Sequence, residues 1–322
     1  TPGRSSAASD VYKRQTLQGK FKLLIYNQKP MKLYNLFIFA LLCMNCSSSD
    51  NSFNNNSSAD DDTTPIDNID PEGEFYITQT IDGVEFSREV LLHLPDSFDN
   101  TQTYPVVIAF HGNGGQNDGW IFPFSPFVDN GEFIGVYPQG HLNSWNLGQE
   151  ASNADDVDFF NQIMAQLETY SFFDATKVYG VGSSNGSAMI NKLAIETSHF
   201  SAVAALASQL MVGTLPDSST SAVSVLQICG TADNSVPYEG GMAFMGHEFL
   251  GAEESALAWV NSFNCQVIPV VEELGDDQIL IYTDCDSGKE VKFHSIENGG
   301  HNLNIPNDPL FFHRIWDFLK RF

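Results

Sequence analysis

The sequence predicts an α/β fold, with a mostly parallel central sheet and helices on both faces. Three observations predict it. Short, continuous apolar runs recur along the chain, as expected of strands covered on both sides. Segments of helical apolar spacing stand between them. Polar, glycine-bearing loops follow three of the apolar runs directly, and such loops carry most of the residues able to do chemistry.

The elements follow in chain order. Residues 75–80 and 84–94 alternate around Asp82-Gly83 and predict a hairpin with that dipeptide as its turn. Residues 104–110 form an apolar strand that runs into His111-Gly112-Asn113-Gly114-Gly115. Residues 133–137 are the next buried strand. Asp155 and Asp156 precede Val157, Phe160, Ile163, Met164 and Leu167, an amphipathic helix with acids at its positive end. Residues 177–181 predict a strand, 187–194 a helix, and 202–207 a further apolar run. Residues 224–228 predict a strand, 252–263 a helix, 290–296 the last strand and 310–322 a closing helix. No internal repeat is present.

The 322 residues are 42% hydrophobic, ample for one large core or two small ones. Net charge is −25, and it is unevenly spread. From Cys46 onward there are 39 acidic against 8 basic residues. Such a surface repels nucleic acid and anionic membranes, and nucleic acid is not an expected partner. Solubility is the plain reading of the charge.

The N-terminal third divides by composition. Residues 1–30 carry no convincing pattern and read as a non-native leader. Residues 31–45 read as an export signal. They open on Met31-Lys32, and the apolar run 33–44 is too short to span a bilayer. Cys46, before Ser47-Ser48-Ser49-Asp50, resembles a lipoprotein cleavage site and is the candidate lipidation position, which would anchor the chain to a membrane. Asn45 and Cys43 depart from that pattern. Residues 46–74, rich in Ser, Asn and Asp, have too little apolar content to fold and read as a tether. The catalytic domain is expected over 75–322, in an exported protein at the cell surface or secreted.

Gly182-Ser183-Ser184-Asn185-Gly186 matches G-x-S-x-G between a predicted strand and a predicted helix, the context that motif needs. Gly180, Gly182 and Gly186 also resemble a loose dinucleotide fingerprint. That reading requires an acidic residue about 20 residues on. None lies between Glu196 and Asp217, so the nucleophile reading leads. Ser184, Asp233 and His301 follow three different strands and occur in the chain order of α/β-hydrolases. A serine hydroxyl needs a base to become a nucleophile, and an imidazole needs an acid to hold its tautomer. The bland readings are a serine in a glycine turn, a surface-loop histidine and a turn-forming aspartate. His294, inside a strand, reads as a packing residue.

HGNGG at 111–115, GSSNG at 182–186, GTADNSVPY at 230–238 and GGH at 299–301 together resemble the polyhydroxybutyrate depolymerase and feruloyl esterase-like branch of serine hydrolases. The similarity runs over about residues 75–322. It implies an α/β-hydrolase fold and a Ser184–His301–Asp233 triad. It also implies an oxyanion hole from the backbone N–H groups of Asn113 and Asn185, and no metal or organic cofactor. Two departures stand out. Cys229 occupies a position where histidine is common, and Asn302-Leu303-Asn304 replaces the usual Thr-Trp-Pro.

The resemblance implies an ester substrate: a polyhydroxyalkanoate-type polyester or its oligomers, or feruloyl or acetyl esters of polysaccharide. Two alternatives remain open, a serine peptidase of related architecture and an inactive surface-binding lipoprotein. Trp120, Phe122, Phe124, Phe127 and Trp145 are candidates to line an apolar cleft, with core packing the default. Trp145, in a polar loop, is the expected substrate-binding residue. Cys265 and Cys285 pair if the protein is exported, the alternative being two free thiols. Cys229 reads as a buried thiol without a catalytic part.

Overall fold

The computed structural model describes residues 73–322. The predicted leader, export signal, lipidation position Cys46 and nearly all of the tether lie outside them. The domain opens with β1 (Glu74–Ile81), one residue before the expected strand, and β2 (Val84–His93). Asp82 and Gly83 join them at φ 51° and 80°. Two consecutive positive φ values match the right-handed twist of a hairpin, which explains this dipeptide.

The remaining elements are β3 (Tyr104–Phe110), α1 (Ile121–Val128), β4 (Ile134–Pro138), α2 (Asp156–Leu167), β5 (Phe173–Ser183), α3 (Asn185–Glu196), β6 (Ala202–Leu206), β7 (Ser224–Gly230), β8 (Gly241–Met242), β9 (Glu248–Phe249), α4 (Ala252–Ser262), β10 (Val270–Leu274), β11 (Asp277–Tyr282), β12 (Val291–Ile296) and α5 (Phe311–Leu319). Ten strands form one sheet in the order β1-β2-β4-β3-β5-β6-β7-β12-β11-β10. The six central strands, β4 to β12 in that order, are parallel. The outer pairs are antiparallel.

The pleat explains the two cores. Val106, Ile108 and Phe110 of β3 point to one face, and Val107 and Ala109 to the other. The first face is covered by α2, α3 and α4 through side chains such as Phe160, Ile163, Ile190 and Trp259. The second is covered by α1 and α5 through Phe124, Phe127, Ile315 and Trp316. Each such side chain contributes roughly 1.5–3 kcal/mol by leaving water. Asp155 caps α2, its carboxylate accepting the Asp158 N–H at 2.9 Å.

The strand order places the site. From β3 the chain steps to β4 on one side, then returns to β5 on the other. The crevice at the carboxyl ends of β3 and β5 is therefore the switch point at which open α/β sheets bind ligands. His111 follows β3 and Ser184 follows β5.

Two elements were not expected from the sequence. The apolar run 121–128 is helix α1 despite Pro123 and Pro126. Pro123 sits in the first turn, where its missing N–H costs nothing, and Pro126 gives up one hydrogen bond near the far end. Residues 270–282 form an edge hairpin. All five residues of β10 are exposed, Glu272 and Glu273 among them. Cys265 and Cys285 are joined as a disulfide that ties the end of α4 to the end of β11. Cys229 is the free, buried cysteine among the described residues, and burial pushes its thiol far up.

Candidate active site

The turn after β5 is tight because two glycines allow it. A Cβ on Gly182 would lie 2.2 Å from the Gly186 carbonyl oxygen. A Cβ on Gly186 would lie 2.2 Å from that of Phe110. Ser184 sits at the tip with φ 54° and ψ −118°, a conformation a serine adopts only when its surroundings impose it. Its N–H is held by the Leu206 carbonyl at 2.8 Å, and it caps α3, placing its hydroxyl at that helix's positive end. The Ser187 hydroxyl, completely buried, accepts the Leu206 N–H at 2.7 Å and lies 2.5 Å from the Gly182 carbonyl oxygen, bracing the turn from below.

His301 Nε2 lies 2.8 Å from Ser184 Oγ, and its Nδ1 lies 2.7 Å from Asp233 Oδ2. The Asp233 side chain is only 3% exposed. Its other oxygen accepts the backbone N–H groups of Ser235 and Val236 at 2.8 and 3.1 Å. With Nδ1 donating to this carboxylate, Nε2 is left to accept from the serine hydroxyl. The loop carrying His301 is not loose. The Gly299 carbonyl accepts the Ala232 N–H at 2.9 Å, Thr231 Oγ1 accepts the Asn298 N–H at 2.8 Å, and Leu303 is buried. Acid and base are thus held by loops that are bonded to each other.

The loop after β3 lies against the serine. The Gly114 N–H is taken by the Asn143 carbonyl at 2.7 Å and that of Gly115 by Gly112 at 2.9 Å. Among the described residues, the backbone N–H groups of Asn113 and Asn185 meet no protein acceptor. Both residues line the same cavity as Ser184 and His301. His111 braces this loop, as its position suggested. Its Nε2 accepts the Gly140 N–H at 3.0 Å, so Nδ1 carries the proton and donates to the Gly112 carbonyl at 2.8 Å. Burial lowers its pKa, in keeping with a neutral ring.

Trp145 corrects an expectation. It does not line the cavity: it is fully buried, with its indole N–H on the His111 carbonyl at 2.8 Å. An indole must bury its ring and still find an acceptor, and the site beneath this loop offers both. Its backbone N–H and C=O are both bonded to the Asn185 side chain, at 2.8 and 3.0 Å. Trp120, Phe124 and Phe127 are core residues, and Phe122 is exposed.

The cavity measures about 250 Å³, and its apolar wall comes from Leu147, Ala188, Val236, Met245 and Phe249. Glu150, His247 and Ser208 also face it, and none of them stands in a recognisable motif. Glu150 and His247 form a pair across 97 positions, with Oε1 and Nε2 2.8 Å apart. Beneath the site, Arg88 Nη2 lies 2.7 Å from Asp156 Oδ1, with both side chains buried. Burial lowers the arginine and raises the aspartate against their mutual attraction, so the pair is retained more for position than for stability. Asp156 holds the Asn146 N–H at 2.7 Å and Arg88 holds the Gln139 carbonyl at 3.1 Å, fixing the two segments that support the oxyanion loop.

No family model matches the chain. Among curated proteins it is similar to feruloyl esterase B of Piromyces equi, at 24% identity over 73% of this chain and 45% of that protein. It is also similar to the probable feruloyl esterase C of Aspergillus niger, at 28% identity over 51% of this chain and 61% of that protein. The chain thus spans about half the length of these relatives. Among solved structures, acetyl xylan esterase from Aspergillus awamori superposes with a TM-score of 0.54 at 14% identity, over 75% of this chain and 99% of that one. The chain thus has the α/β-hydrolase fold, and its sequence is similar to those of feruloyl esterases.

Proposed function

We propose that the protein is an exported serine carboxylic-ester hydrolase. A single observation carries the reading: His301 stands within hydrogen-bond distance of both Ser184 and Asp233. In this reading Ser184 Oγ attacks the ester carbonyl while His301 Nε2 takes its proton, and Asp233 stabilises the imidazolium. The backbone N–H groups of Asn113 and Asn185 receive the developing oxyanion, each such donor lowering the barrier by roughly 2.7–4 kcal/mol. His301 returns the proton to the departing alcohol, leaving an acyl-enzyme. Water, deprotonated by the same imidazole, releases the acid and restores the serine.

Feruloyl or acetyl esters of polysaccharide are the favoured substrates because the relatives bear those names. A polyhydroxyalkanoate polyester is the second candidate, resting on the sequence motifs alone. Ser184→Ala is expected to cut turnover of p-nitrophenyl acetate and methyl ferulate by about 10⁶-fold. Equal rates in the variant would end the assignment, and turnover of polyester film but not methyl ferulate would move the substrate. Export is supported by the pattern of residues 31–45 and by the disulfide, which belongs to oxidising compartments. A lipid anchor on Cys46 predicts acyl labelling of the wild type that Cys46→Ser loses; an unlabelled wild type removes the anchor.

A further inference from the structure

We propose that Trp145 and the side chain of Asn185 form a spacer that sets the distance between the two oxyanion donors, the backbone N–H groups of Asn113 and Asn185. The indole and the amide are positioning groups, and neither needs to touch the substrate. This rests on the ester-hydrolase reading and deepens it, because it says what holds the two donors in register.

The two donors belong to different elements. Asn113 lies in the loop after β3, and Asn185 opens α3. One short segment, residues 140–145, is bonded to both. On the first side, the Gly140 N–H donates to His111 Nε2 at 3.0 Å and the Trp145 indole N–H to the His111 carbonyl at 2.8 Å. The Asn143 carbonyl accepts the Gly114 N–H at 2.7 Å, so these bonds bracket Asn113. On the second side the link is a single amide. Asn185 Oδ1 accepts the Trp145 N–H at 2.8 Å and the Ser144 hydroxyl at 3.3 Å. Its Nδ2 donates to the Trp145 carbonyl at 3.0 Å and to Glu150 Oε1 at 3.1 Å. A primary amide has two donor hydrogens and two acceptor lone pairs, and all of them are used. Turning the amide over would set its NH2 against the Trp145 N–H and its oxygen against the Glu150 carboxylate, so it is locked in one orientation.

Such spacing bears on the barrier. Oxyanion donors work when they stand about 2.7–3.1 Å from the place the charged oxygen will occupy. The segment that carries the spacer is itself held. Trp145 is fully buried, with its ring against those of Phe110 and His111 at centroid distances of 4.8 and 5.0 Å. Just beyond its two ends, Arg88 holds the Gln139 carbonyl and Asp156 holds the Asn146 N–H. The polar groups of Trp145 point two ways, the indole N–H to one donor element and the backbone to the other. If the amide were only a stitch between the loop and α3, its loss would lower stability and leave the rate per folded molecule unchanged.

The test uses Asn185→Ala and Trp145→Phe, singly and together, on p-nitrophenyl acetate. Asn185→Ala is expected to lower kcat about 10²-fold and Trp145→Phe about tenfold, with KM unchanged in both. A spacer broken at one point loses little more when broken at a second. The double variant is therefore expected to lose about 10²-fold, where independent sites would multiply to about 10³-fold. An aryl trifluoromethyl ketone reads the donors directly. Ser184 Oγ bonds to its carbonyl carbon, the serine proton passes to His301, and the carbonyl oxygen becomes an oxyanion. Its affinity is expected to fall by the same factor as kcat/KM. The pH profile of kcat/KM should stay in place, because Asp233 and His301 are untouched. Unchanged kcat in the variants, with a lower denaturant midpoint, overturns the spacer in favour of the stitch. A multiplicative loss in the double variant or a displaced pH profile also overturns it. If Asn185→Ala fails to fold, Trp145→Phe keeps a ring in the core and decides the matter through kcat and ketone affinity. If the wild type is active and the variants match it, the spacer alone fails. If the wild type cleaves no ester and a fluorophosphonate does not label Ser184, the hydrolase reading fails and takes the spacer with it.

Discussion

Two imidazole–carboxylate pairs face one cavity, and they are built in opposite senses. In the first, Asp233 holds Nδ1 of His301, and Nε2 meets the Ser184 hydroxyl at 2.8 Å. In the second, Glu150 holds Nε2 of His247, and Nδ1 meets no protein atom among the described residues. Both acids are almost completely buried and both accept backbone N–H groups. What separates them is the neighbour of the second nitrogen. A lone pair aimed at a hydroxyl of the protein can act as a base, while one that meets no protein group has no proton to take. An acid–imidazole pair is therefore not by itself the mark of catalysis.

Replacing each acid by its amide breaks this comparison most directly. Asp233→Asn is expected to lower kcat about 10⁴-fold, because the amide favours the wrong tautomer of His301. Glu150→Gln flips the tautomer of His247 in the same way, turning Nδ1 from acceptor to donor. The expected result is a loss of at most about 10²-fold on every ester, through the Asn185 amide that Glu150 holds. Steady-state kinetics on the three proteins decides the matter: a loss of 10⁴ on all esters in Glu150→Gln would make the two pairs equivalent.

A third pair sharpens the contrast with the smallest effect. His294 Nε2 lies 3.0 Å from Asp277 Oδ2 at the far side of the sheet. Burial lowers the pKa of His294, with Lys292 and Arg314 adding to the shift and Asp277 opposing it. A group depressed on folding contributes stability that is complete above its unfolded value, about 6.5, and is lost as pH falls through the folded value. Denaturant midpoints should therefore fall from pH 7 toward pH 5, and His294→Gln should make that decline shallower. An unchanged slope would place the acid sensitivity elsewhere, with His111 the next group shifted in the same direction.

Local patterns foretold the fold where they repeat a known spacing. The hairpin turn at Asp82-Gly83, the elbow at 182–186 and the acid cap of α2 each satisfy a backbone requirement with neighbours in sequence. The edge hairpin at 270–282 escaped because Glu272 and Glu273 interrupt the apolar signal, and β10 has no buried face to produce one. Helix α1 escaped because two prolines lie within it. In the site, Ser184, His301 and Asp233 were readable because each stands in a recognisable motif. Trp145 was misplaced because a polar loop does not reveal whether its aromatic turns outward or underneath. Glu150 and His247 had no motif, and only the sheet and the β8–β9 arm bring them together.

The outer strand β10 has one more consequence. It leaves a row of unpaired backbone groups along the border of the sheet. Such a border is a template for adding strands from other copies, the first step toward aggregates. Glu272 and Glu273 place negative charge on it, so approaching copies repel one another at neutral pH. Two glutamates that contribute nothing to chemistry thus guard the colloidal life of the molecule.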